Sequence, residues 1–107
     1  MTQHVTRITL FKIPNEENQS KVLALYRQMP QKALKDGKPY ILSVKAGLAA
    51  ADQRAQGFTI AAVSIFSSKE DMDYYDNDCV AHQELKGVAK GVHQGFAMVF
   101  FKDQVTE

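Results

Sequence analysis

A single cysteine, Cys79, in a chain of 107 residues leaves no internal disulfide framework and suits a reducing compartment, with an intermolecular bridge the remaining option. A cytosolic setting is therefore expected. Charge of one sign is also missing: thirteen basic residues stand against twelve acidic ones, and no Lys/Arg cluster could follow a phosphate backbone. Nucleic acid is not an expected partner. No run approaches the roughly 20 apolar residues that a membrane span needs. The first residues, Met1 to Phe11, carry polar side chains too often to offer a secretion machinery a continuous apolar core. Internal repeats and low-complexity tracts are absent too. With 45% hydrophobic and 23% charged residues, the composition is that of a folded globular protein.

What is present is periodic. Val5, Arg7, Thr9, Phe11 and Ile13 alternate with Thr6, Ile8, Leu10 and Lys12, which predicts a first strand ended by Pro14. Asn15 can cap a helix whose first turn holds Glu16 and Glu17 and whose apolar stripe is Val22, Leu25, Tyr26, Met29 and Ala33. Pro30 predicts a kink or restart in it. Gly37 and Pro39 precede a second strand over Tyr40 to Ala46, and Gly47 to Gly57 is polar enough for an exposed hairpin connection. Phe58 to Phe66 is a third strand, followed by Ser67 and Glu70 at capping-box spacing. A second helical region covers about Ser68 to Tyr75, breaks over Asp76 to Cys79, and resumes from Ala81 to Lys90. Gly91 and Gly95 bracket the exit to a last strand, Phe96 to Phe101.

The order strand, helix, strand, strand, helix, strand is the α+β, ferredoxin-like split βαβ arrangement, in one domain over 1–107. A domain of this size hides only about two thirds of the surface its unfolded chain exposes. Its helices can cover one face of the sheet. Yet the strands are apolar on both: Phe58, Ile60 and Phe66 against Val63 and Ile65, then Phe96, Met98 and Phe100 against Val99 and Phe101. A second copy packed across a twofold axis would bury the other face, so a homodimer is expected.

Four local patterns add a resemblance. They are Leu10-Phe11-Lys12, Ala46-Gly47, Gly57-Phe58-Thr59, and Phe66-Ser67-Ser68 leading to Tyr74-Tyr75 and Ala81-His82. Together they resemble the stress-responsive dimeric A/B barrel (Dabb) family over nearly the whole chain. Val80 stands where that family usually has proline, and the turn before it is one residue longer. The resemblance implies a dimeric barrel with an apolar cavity in each protomer. The family includes stress-associated plant proteins and enzymes that cyclise linear polyketides without a cofactor. In those cyclases the histidine of the Ala-His pair is the general base and an upstream tyrosine assists. These roles fall here on His82 and on Tyr75 or Tyr74. At two positions where the family often carries histidine this chain has Arg7 and Ile60, which with Tyr26, Phe58 and Phe96 are candidates for contact with an apolar or carbonyl-rich small molecule.

The residues themselves admit plainer readings. His82, Leu85 and Ala89 share one helix face, so the imidazole meets apolar surroundings. It is either an anchor bonded to a nearby carbonyl or hydroxyl, or a neutral base that removes a proton from carbon flanked by two carbonyls. In the second case a tyrosine donates to the oxygen that gains charge. Tyr74 and Tyr75 are adjacent and point about 100° apart on a helix, so only one faces the pocket. Arg7 shares a strand face with Thr9 and Phe11; a solvated strand end is the commoner fate, contact with a carboxylate or acidic head group the other. Cys79 has no evident paired base. Asp71, Asp73, Asp76 and Asp78 lack the glycine and terminal glutamate of a calcium loop and read as a solvated acidic face. His4, His82 and His93 lack metal-ligand spacing, and no metal is expected. Three functions follow: a cofactor-independent polyketide-cyclase-like lyase, a non-catalytic stress-response or ligand-carrier protein, and a cofactor-independent monooxygenase or isomerase.

Overall fold

The computed structural model describes residues 4–106. The long elements are β1 (Val5–Phe11), α1 (Glu16–Lys32), β4 (Ile41–Leu48), β5 (Ile60–Phe66), α2 (Lys69–Asn77), α3 (Val80–Lys90) and β6 (Phe96–Lys102), with a small hairpin of β2 (Leu34–Lys35) and β3 (Lys38–Pro39) after α1. The main sheet has the order β4-β5-β1-β6, antiparallel throughout, which is the expected ferredoxin-like arrangement. Helices lie on one face of it. No helix among the described residues is long and apolar enough to cross a membrane.

Local chemistry explains the boundaries. Asn15 caps α1 as expected, its Oδ1 accepting from the Asn18 amide at 3.1 Å. Pro30 neither breaks nor restarts the helix. It lies in the last turn, so the lost amide costs a single bond near an end that the Ala33 amide closes on the Met29 carbonyl at 2.9 Å. Asp36 and Gly37 both have positive φ, the pairing that a two-residue hairpin turn demands, and they join β2 to β3. The second cap is displaced by one residue from expectation: Ser68, not Ser67, accepts from the Asp71 amide at 3.1 Å. β5 begins at Ile60 rather than Phe58, because Phe58 and Thr59 turn toward other partners. The Thr59 amide donates to the Phe11 carbonyl at 2.8 Å, and its hydroxyl accepts from the Ile13 amide at 2.9 Å.

The strands show which face the helices cover. Val5, Arg7, Thr9 and Phe11 of β1 and Ile60, Ala62, Ser64 and Phe66 of β5 are buried, while the residues between them are half-buried. The helix side carries the core, with Val22, Tyr26 and Met29 of α1, Met72 and Tyr75 of α2, and Leu85 and Ala89 of α3. On the open side, Ile8 lies between Val63 and Val99, with Thr6 beside Ile65 and Phe101. Val99 is 59% exposed and Phe101 45%.

Candidate functional site

The helix layer closes over β5 and β1 and stops short of β6, whose residues are exposed or half-buried along its whole length. Under that shortfall lies a cavity of about 510 Å³. β1 contributes Arg7, Thr9 and Phe11 to its wall, β6 contributes Phe96 and Met98, α3 contributes His82, Leu85, Lys86, Ala89 and Lys90, α1 contributes Tyr26, and the end of α2 contributes Asp76 and Asn77.

His82 stands in the first turn of α3 on the face it shares with Leu85 and Ala89, and is only 4% exposed. Its Nδ1 lies 2.9 Å from the Tyr75 carbonyl oxygen. A carbonyl can only accept, so Nδ1 carries the proton and Nε2 holds the lone pair. The imidazole stacks on the Tyr75 ring, centroids 3.6 Å apart and planes 12° from parallel. Burial, opposed by the bond to the Tyr75 carbonyl and reinforced by the charges of Arg7 and Lys86, brings its pKa down to about 4. It is neutral at physiological pH.

Arg7 is 8% exposed, which overturns the solvated strand end. Its Nη1 donates to Asp76 Oδ2 at 2.8 Å, and its Cζ lies 5.3 Å from the centre of the Tyr75 ring. Asp76 is therefore no part of a solvated acidic face. Its other oxygen, Oδ1, is 3.8 Å from His82 Nδ1. Two more of the four aspartates are paired as well, Asp71 with Lys35 at 2.7 Å and Asp73 with Lys69 at 3.0 Å. Among the described residues no group of His, Cys, Asp and Glu could hold a metal ion.

Of the residues singled out from sequence, His82, Arg7, Tyr26 and Phe96 meet at this cavity. Tyr26 is buried, which pushes its phenol up to about 12 against the lowering pull of Arg7. Tyr75 lies beneath His82, fully buried, its own phenol pushed up by burial. Tyr74 points elsewhere: its hydroxyl donates to the Leu34 carbonyl at 3.0 Å and its ring meets Tyr40 edge-on. Ile60 is buried in the core, and Phe58 lines a separate recess with Leu48 and Thr59, its ring under Lys12 Nζ at 4.9 Å. Asp76 escaped sequence reading because its partner is 69 positions away. The signal was Arg7 itself, since a buried guanidinium requires a carboxylate nearby.

A fusaristatin A biosynthesis cluster protein of Gibberella zeae is 40% identical over 107 residues, 99% of this chain and 78% of the relative. The hydroxynitrile lyase of Passiflora edulis superposes with a TM-score of 0.81 at 18% identity, covering 100% of this chain and 99% of that one. A dimeric ferredoxin-like protein of unknown function from Thermobifida fusca superposes with a TM-score of 0.74 at 14% identity, covering 96% and 93%. At such identities the two structures speak for the fold. The family model of the stress responsive A/B barrel domain matches residues 5–103, and the chain belongs to that family.

Proposed function

We propose that this protein is a homodimeric barrel that binds an apolar, carbonyl-bearing small molecule in the cavity beside β6 and promotes its intramolecular cyclisation with His82 as general base. The observation that carries this reading is the bond from His82 Nδ1 to the Tyr75 carbonyl, which leaves Nε2 as the basic nitrogen of a neutral imidazole in the cavity wall. Nε2 takes a proton from carbon between two carbonyls, negative charge moves onto a carbonyl oxygen, and the enolate carbon then adds to a second carbonyl of the same molecule, whose oxygen takes the proton back from the imidazolium. A group in the same wall that can receive that charge is the Tyr26 hydroxyl, whereas Tyr75 acts from beneath by holding the imidazole. Imidazole-promoted enolisation needs no cofactor. The fusaristatin A cluster relative supports a biosynthetic setting, and the twofold partner covers the open sheet face, in keeping with the dimeric Thermobifida fusca protein.

The test is exchange of the α-protons of a 3-oxoacyl thioester in D2O, followed by NMR. The wild-type protein should exceed the buffer rate from neutral pH down to an acid limb near pH 4, where the imidazole protonates. His82→Ala should fall to the buffer rate. Equal exchange by both proteins would remove the base and leave the carrier reading, in which the same hydrogen bond merely ties α3 to α2.

A further inference from the structure

The charges around the cavity do not balance. Arg7, Lys86 and Lys90 stand in its wall against one carboxylate, Asp76. Lys86 Nζ spends a donor on the Asp76 carbonyl at 2.6 Å, so it does not neutralise that side chain directly. Arg7 is the buried member of this set. A guanidinium carries five N–H donors in a planar fork, and one Nη1 contact to Asp76 Oδ2 is its only hydrogen bond among the described residues. The Asp76 carboxylate on one side and the Tyr75 ring fix the plane of the fork, while Arg7 itself borders the cavity. Leu or Val at this strand position would pack against α1 and α3 without the cost of a buried charge. Further along the same sheet surface the lining changes kind: Phe11 of β1 and Phe96 and Met98 of β6, with Leu85 of α3, offer apolar surface.

A cavity with a buried guanidinium that has donors to spare at one end and an apolar trough at the other matches a molecule with an anionic head and an apolar body. We infer that the ligand of this site is a carboxylic acid, its carboxylate bound by Arg7 beside Asp76 and its carbon chain or ring lying along Phe11, Leu85, Phe96 and Met98. This rests on the cavity being a ligand site, and it narrows the substrate to a carbonyl-bearing carboxylic acid, for which the neutral 3-oxoacyl thioester above probes the base alone. Arg7 is then the residue that sets specificity for a charged over a neutral ligand. The position of His82, stacked on the same Tyr75 ring as Arg7 faces, puts the basic nitrogen near the head-group end of such a molecule.

The probes are octanoate and methyl octanoate, which share the apolar body and differ in the charge. Binding is read from chemical shifts of the Met98 methyl and the His82 ring. Octanoate should bind at least tenfold tighter than its ester to the wild-type protein. Because Arg7→Met alone strands Asp76 and could fail to fold, the double variant Arg7→Met/Asp76→Asn removes both charges; it should bind the two probes equally. Asp76→Asn alone frees a further N–H of Arg7 and should tighten octanoate severalfold, which a purely structural ion pair would not do. Equal affinity of the wild-type protein for acid and ester would overturn the anionic head group and leave the cavity reading standing. Failure of both probes to move either resonance at millimolar concentration would overturn the two together.

Discussion

The two faces of one sheet are made from the same strands and differ in chemistry. Along β1 the buried set toward the helices is Val5, Arg7, Thr9 and Phe11, and the intervening set is Thr6, Ile8 and Leu10. Across β5 the helix side holds Ile60, Ala62, Ser64 and Phe66, and the open side Ala61, Val63 and Ile65. Among the described residues the buried polar or charged ones, Arg7, Thr9, Ser64 and His82, all belong to the helix side. Polar groups survive burial only where partners are built for them, and such partners cost stability unless a task retains them. The open face carries Ile8, Val63, Ile65, Val99 and Phe101 around the centre of the sheet, with no charged residue of β1, β5 or β6 on it and Lys45 of β4 opposite Val63. On the function proposed above, one face is organised to hold a ligand and the other to be covered.

The largest effect should come from putting charge on the open face. In the homodimer proposed above, Ile8→Asp places two carboxylates at the centre of an apolar interface and should raise the dissociation constant roughly a thousandfold, seen by sedimentation velocity. Far-UV circular dichroism should stay unchanged, since Ile8 takes no part in the helix-side core. A variant that remained dimeric would sink the face-to-face arrangement.

The helix side should break by protonation instead. The His82 pKa is lowered from 6.5 to about 4, so between these values the unfolded chain binds a proton that the folded one refuses. Stability is then full above pH 6.5 and falls as the pH drops toward 4, by about 3 kcal/mol across the window. Urea titrations at pH 7 and pH 4.5 measure it. His82→Gln should flatten this part of the curve. If the variant keeps the wild-type slope, another group controls the acid limb.

How much of this could be read from the residues follows from the range of each interaction. Alternation over five residues of β1 already gave both faces, and the helix stripe of Val22, Tyr26 and Met29 gave the inner side of α1. Asn15 was legible because its cap spans three residues. The hairpin of β2 and β3 was missed although Asp36-Gly37 is the local signal for it, since two-residue strands leave no periodicity to find. At the site, the inward direction of His82 was legible from Leu85 and Ala89, three and seven residues further on. Its partner carbonyl and the Asp76 contact to Arg7 were not, because they depend on how α2 meets α3 and β1 in space. Pro30 misled for a different reason: its effect depends on distance from a helix end that the local pattern places only within a few residues.

The smallest effect is expected at Tyr74, and it separates two adjacent tyrosines that sequence alone could not tell apart. Helical geometry sets them about 100° apart. Tyr75 consequently lies under His82 and Arg7, while Tyr74 reaches across to the β2 carbonyl of Leu34. Tyr74→Phe deletes that one hydrogen bond and keeps the ring against Tyr40, so unfolding in urea should show a loss of about 1 kcal/mol or less. Proton exchange on the thioester should not change. Tyr75→Leu, by contrast, removes the surface on which the imidazole rests while leaving the backbone carbonyl that fixes its tautomer. Exchange should therefore fall with the Nδ1 proton still on the ring, an outcome visible in the imidazole nitrogen shifts. Slower exchange in Tyr74→Phe than in Tyr75→Leu would reverse the assignment and move the reactive end of the site from β6 toward the β2 and β3 hairpin.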